Sequence, residues 1–214
     1  MADFFIGTSG FSYKDWAGEF YPESLKSNEY LGFYCRYFNT VEINSTYYKP
    51  PDPDLFNSLL KKISVNFIFS CKAHSSMTHD RNADDTVYSN FISALKPLIK
   101  SGNFGVLLFQ FPYSFYFNSI NLGYIEKIKE KFKETDVVCE FRNSGWLNDR
   151  TFSLLEKLNI GFCNVDEPKL PKLLPATNIL TNDIFYLRFH GRNAQKWWNC
   201  TEAFERYDYM YTEE

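Results

Sequence analysis

Seven short apolar runs recur along the chain, and most are followed by a segment with helical spacing. The runs cover residues 4–9, 40–44, 67–72, 104–111, 136–142, 160–166 and 184–190. Their length and their content of aromatic and β-branched residues predict strands. Between them, Leu55, Phe56, Leu59, Leu60 and Ile63 form an apolar stripe at helical spacing. Asp52 precedes it as an N-cap and Pro53 stands at the first helical position. A second stripe, Val87, Phe91, Leu95, Leu98 and Ile99, is stopped by Gly102. Ile120, Tyr124, Ile125, Ile128 and Phe132 make a third. Two shorter helices are predicted around Tyr30, Leu31, Tyr34 and Cys35, and around Phe152, Leu155 and Leu158. Residues 168–184, with Pro171 and Pro175, read as a loop.

Strands separated by helix-length connections need crossovers, and crossovers make a mainly parallel sheet. Full βα barrels average about 250 residues over eight units, or roughly 31 per unit, so seven units need about 217. The chain has 214 residues. The expected fold is therefore α/β, a TIM-like (β/α) barrel, mainly parallel, with seven of the usual eight strands. Without a repeat or a linker-like tract, residues 1–214 read as one domain, incomplete at the C-terminus.

The period of two along each strand separates two faces. One set is apolar: Val41 and Ile43, Phe69 and Cys71, Cys139 and Phe141, Cys163 and Val165, Leu187 and Phe189. The other is polar or charged: Glu42 and Asn44, Ser70 and Lys72, Gln110, Glu140 and Arg142, Asn164 and Asp166, Arg188 and His190. These polar residues gather at the C-terminal strand ends, where barrels build their sites. Two other readings give the same pattern: an antiparallel sheet with one solvated face, and a buried network of mutually neutralising ion pairs.

Composition narrows the class. The chain carries 22 Phe, 15 Tyr and 4 Trp, so much of its core must be aromatic. A formal net charge of −3 argues against a broad basic face for nucleic acid. Five widely spaced cysteines without a Cys-x-x-Cys pair, and no basic leader before Phe4, read as a reduced, cytoplasmic protein. The longest apolar run, residues 106–109, is far too short for a membrane span. Dinucleotide, P-loop, zincin and α/β-hydrolase motifs are absent from the sequence.

Several ordered motifs resemble one family. Gly7-Thr8-Ser9-Gly10-Phe11-Ser12-Tyr13, with Trp16 and Phe20-Tyr21-Pro22, is similar to the opening signature of the YecE-like proteins, the domain-of-unknown-function family seventy-two. The stretch from Phe38 to Tyr48, through Glu42 and Asn44, resembles its most specific motif. Phe69 to Ala73 with Thr78-His79, Phe109 to Pro112, Glu140-Phe141-Arg142 with Ser144 to Trp146, Asp166, and Leu187 to Arg192 follow in order. The resemblance spans nearly the whole chain and implies a βα barrel, without supplying an activity. Members usually continue past a tyrosine-rich stretch like Tyr207-Asp208-Tyr209 into a helix and a final strand. Residues 212–214 read as the start of that helix. A chain ending there would leave two sheet edges exposed and open to self-association.

Two functional readings follow. In the first, the protein is an enzyme of the hydrolase or isomerase kind acting on a small phosphorylated or carbohydrate-like molecule. Glu42, Glu140, Asp166 and His190 are the candidates for acid–base work. Lys72, Arg142, Arg188 and Arg192, with Asn44, Gln110, Trp16, Tyr21 and His79, are the candidates for substrate binding. His74 ranks below His79 because it lies off the family motif. A divalent metal such as magnesium or manganese among Glu42, Glu140, Asp166 and His190 is a variant of this reading, although the neighbouring cations oppose it. The second reading is a non-catalytic module for nucleic acid or carbohydrate, using the aromatic segments 11–21, 111–117 and 197–198 as a stacking rim.

Overall fold

Asp52 caps the helix that follows it by accepting the Asp54 N–H, and Pro53 opens that helix as the sequence predicts. The stripe ending near Ile99 likewise stops at Gly102, whose backbone is left-handed at φ +73°. A side chain there would be strained, so glycine sets this boundary.

The computed structural model describes residues 2–63 and 66–212. Its strands are β1 (Gly7–Ser9), β2 (Thr40–Ile43), β3 (Ile68–Lys72), β4 (Phe104–Gln110), β5 (Val137–Glu140), β6 (Ile160–Asp166) and β7 (Tyr186–Phe189). The helices are α1 (Tyr30–Tyr34), α2 (Ser45–Tyr48), α3 (Pro53–Leu60), α4 (Ser75–Thr78), α5 (Asp85–Ser101), α6 (Ser119–Lys131) and α7 (Asp149–Lys157). The fold is a TIM-like α/β barrel type with seven of the usual eight strands among the described residues. The helix start expected from residue 212 falls largely on residues 213–214, outside the described residues.

The chain divides into two compact units, Met1–Leu108 and Phe109–Glu214. In the first, β1 pairs with β2, β2 with β3 and β3 with β4, all parallel. In the second, β5 pairs with β6 and β6 with β7, again parallel. The antiparallel alternative is thereby removed within each unit. Both faces of the inner strands are covered, and every residue of β6 is buried. On β7 the outward Leu187 and Phe189 stay exposed.

Aromatic residues fill both cores. In the first unit, Tyr21 stacks on Tyr30 at 3.9 Å and Tyr34 on Phe38 at 4.6 Å. In the second, Phe111, Phe115, Trp146 and Phe141 lie nearly parallel: Phe111 meets Phe115 at 4.0 Å, Phe115 meets Trp146 at 5.1 Å and Trp146 meets Phe141 at 4.3 Å. Asn143 fixes the turn that delivers Trp146 by accepting the Gly145 N–H.

Candidate functional site

In the first unit, the predicted residues at the C-terminal strand ends form two small groups. Ser9, at the end of β1, donates to Glu42 Oε1 at 2.7 Å, and Asn44 Nδ2 donates to Ser9 Oγ at 3.0 Å. Glu42 is buried, and the buried Asn44 Oδ1 has no hydrogen-bond partner among the described residues. Lys72, closing β3, places its ammonium 4.3 Å from the centre of the Tyr47 ring, a cation–π contact. Tyr47 also meets His79 edge-on at 5.1 Å. His74 is the cap of α4, accepting the Ser76 N–H. Trp16 is half-buried among aromatic rings, whereas Tyr21 is only 1% exposed and donates its hydroxyl to the Phe11 carbonyl.

Glu42→Gln is expected to leave stability within about 1 kcal/mol of the parent or to raise it, since charges gathered for function usually oppose stability. Urea unfolding measures this; a loss of several kcal/mol would instead make Glu42 a structural anchor.

The second unit holds a larger group. Glu140 ends β5, and its side chain has no solvent exposure. Its Oε1 accepts from Arg142 Nη2 at 2.7 Å and lies 3.1 Å from His190 Nε2; its Oε2 accepts from Arg188 Nη1 at 2.6 Å. The same Nε2 also lies 3.4 Å from Arg188 Nη1, so a group that only accepts and a group that only donates both face it. Burial alone would raise the Glu140 carboxyl, but Arg142, Arg188 and His190 together hold it well below the usual carboxylate range. For His190 burial wins: its imidazole is pushed down to about 4 and, with Arg142 also disfavouring the cation, it is neutral at physiological pH.

Beside this group, Asp166 at the end of β6 accepts two bonds from Arg192, from Nε at 2.8 Å and Nη2 at 2.6 Å, and a third from the Tyr211 hydroxyl at 3.0 Å. The Arg192 hydrogen bonds, against opposing burial, lower the Asp166 carboxyl. Burial, helped by the bond to Asp166, lifts the Tyr211 hydroxyl to about 12. Arg192 is half-exposed, so this pair contributes orientation more than stability. The His190 N–H donates to the Asp166 carbonyl at 2.8 Å, joining the two groups along the strand ends. Gln110, closing β4, turns its Nε2 to the Phe111 carbonyl at 2.9 Å.

Glu167 was not singled out by the strand periodicity. Its Oε2 accepts from Arg142 Nη1 at 2.9 Å and its Oε1 from the Leu174 N–H at 3.2 Å. Burial raises its carboxyl to about 7; Arg142 opposes this and Glu140 adds to it. The second unit thus contains two buried carboxyls on one guanidinium, one firmly ionised and one that titrates near neutrality. Trp197, nearly fully buried, covers Arg142, with the guanidinium carbon 5.9 Å from its ring centre. Among the described residues, no group of three or more His, Cys, Asp or Glu is arranged to hold a metal ion. No described helix is long and apolar enough to cross a membrane.

Parallel strands ending in arginines, carboxylates and a histidine define an α/β barrel protein with a charged cluster at its strand ends. The chain belongs to the DUF72 family, described as "Protein of unknown function DUF72", whose model matches residues 5–214. The YecE-like proteins are this family under another name. The chain is similar to the UPF0759 protein YunF of Bacillus subtilis (strain 168), with 27% identity over 90% of this chain and 72% of that one. Among solved structures, a DUF72 family protein of Thermotoga maritima MSB8 superposes with a TM-score of 0.89 and 40% identity, covering 98% of this chain and 82% of its own. A DUF72 family protein of Enterococcus faecalis V583 gives 0.84 and 25% identity, covering 97% and 78%.

Proposed function

We propose that the protein is an enzyme whose second unit binds the anionic group of a small phosphorylated or carbohydrate-like substrate at the strand ends. The observation that carries this reading is the pair of guanidiniums, Arg142 and Arg188, fixed on one buried carboxylate beside a neutral histidine. Glu140 orients both arginines, so little side-chain entropy remains to be lost when an anion arrives. Each arginine keeps about an eighth of its side chain open to solvent, 12% for Arg142 and 13% for Arg188. His190, neutral at physiological pH, serves as proton acceptor or donor, and Arg192, oriented by Asp166, adds a third cation. In the first unit Glu42 remains an acid–base candidate, with Asn44, Lys72 and His79 as binding candidates. The five free cysteines fit a reducing, cytoplasmic setting.

Thermal-shift titration tests the reading. Sulfate or a sugar phosphate at a hundredfold excess over its Kd stabilises the folded chain by about 2.7 kcal/mol, which is a rise of several degrees. Arg142→Met and Arg188→Met are each expected to remove most of that rise. No shift with any anion would end this reading.

A non-catalytic carbohydrate-binding reading has one observation in its favour. Tyr113 stands edge-on to Trp198 at 5.5 Å and near Tyr116 at 6.0 Å, and Trp198 and Tyr116 are each more than half exposed. Such an exposed aromatic corner suits the face of a sugar ring. Binding of neutral oligosaccharides, abolished in Trp198→Ala and indifferent to Arg142→Met, would select it.

A further inference from the structure

Arg142 is shared. One η nitrogen is held by Glu140 and the other by Glu167, so the guanidinium is clamped between two buried carboxyls. The two clamps are unequal. Glu140 is surrounded by Arg142, Arg188 and His190, whereas Glu167 has Arg142 and one backbone N–H, from Leu174. An anion arriving at Arg142 draws on the charge that keeps Glu167 ionised, and it adds a negative charge of its own nearby.

We infer that Glu167 is the positioning residue of the anion site: it holds Arg142 in place, and it takes up a proton from solvent as an anion binds. The inference rests on the anion-binding reading above and deepens it, because it makes proton uptake part of substrate capture.

The surrounding groups leave Glu167 as the one that responds between pH 6 and 8. From β5 it faces Glu140, held well below the usual carboxylate range, and from just past that strand the Arg142 guanidinium. From the end of β6 its chain neighbour Asp166 is lowered by Arg192. From β7 and the residues after it, Arg188 and Arg192 stay charged and His190 stays neutral, at about 4. From the loop after β6 it receives the Leu174 N–H. Glu167 itself lies at about 7, raised chiefly by burial. Its protonated form leaves Arg142 less neutralised, so anion affinity rises as the pH falls through this value and levels off below it.

The test is calorimetric titration with sulfate, whose charge does not change between pH 6 and 8. In the parent protein, binding is expected to be roughly tenfold tighter at pH 6 than at pH 8, the change that linkage gives for uptake of about one proton. Repeating the titration at pH 8 in two buffers of different ionisation enthalpy counts that proton directly. Glu167→Gln, which cannot ionise, is expected to bind sulfate with a flat pH profile near the parent's low-pH strength. A role confined to packing would move affinity at all pH values and leave the proton count at zero. Sulfate binding without proton uptake overturns the inference while leaving the anion site standing. Absence of sulfate binding at every pH removes both. Should the variant not fold, the two-buffer measurement on the parent still decides.

Discussion

Glu140→Ala is expected to lower stability by about 3–5 kcal/mol, because it removes the buried carboxylate on which two part-buried guanidiniums converge. Two guanidiniums and the His190 Nε2 converge on this carboxylate, whose side chain is wholly inaccessible. Removing it leaves Arg142 with Glu167 and takes the 2.6 Å contact away from Arg188. The sign of the pH dependence follows from the depressed native carboxyl. The group's contribution is complete above the unfolded glutamate value and is lost as the pH falls through its lower native value. The difference between parent and Glu140→Ala should therefore be largest near neutrality and shrink in acid. Urea unfolding between pH 7 and 3 measures it; a constant difference across that range would show that packing, not charge, sets the loss.

Trp146→Ala is expected to cost a similar amount, about 3–5 kcal/mol, by a different mechanism. The indole is fully buried between Phe115 and Phe141, and its Nε1 donates to the Phe115 carbonyl at 2.6 Å. Alanine leaves a ring-sized cavity and an unsatisfied buried carbonyl, and both penalties add. Trp146→Phe keeps the stack but not the donor, so it should lose much less. If the two variants unfold at the same urea concentration, the hydrogen bond and not the ring volume carries the effect.

The helices were legible because their boundaries are written in local chemistry. The Asp52-Pro53 start and the Gly102 stop need no tertiary information. The strand positions were legible from periodicity, and β6 matches its expected span residue for residue. At β1 the pattern overreached. Phe4, Phe5 and Ile6 look like strand residues, but Asn39 takes their backbone bonds with its side-chain amide, from the Ile6 N–H and to the Phe4 carbonyl. The Ile6 carbonyl accepts the Asn39 backbone N–H at 3.3 Å, but the strand itself begins at Gly7, and all three side chains stay exposed. In the candidate site, the alternation put Glu42, Lys72, Glu140, Arg142, Asp166, Arg188 and His190 on one face; within the second unit Glu140 touches Arg142, Arg188 and His190 directly. It missed Glu167 because that residue lies one position past the end of β6, just before Pro168, where the two-residue alternation no longer says which way a side chain turns. The only signal was a second acid directly after Asp166. Tyr211 was missed for another reason: its partner Asp166 lies 45 positions earlier in the chain, a distance no local pattern spans.

The parallel ladders pair Gly7 with Thr40, Thr40 with Ile68, Val137 with Ile160 and Cys163 with Tyr186, so within each unit a strand is bonded to its neighbour in sequence. Among the described strands of each unit, these partners are consecutive in the chain. A chain emerging from the ribosome presents each new strand to one already made, and each addition closes a loop only a few tens of residues long, at a modest cost in loop entropy. Such a ladder grows in the direction of synthesis, and its growing edge is always the most recently made strand.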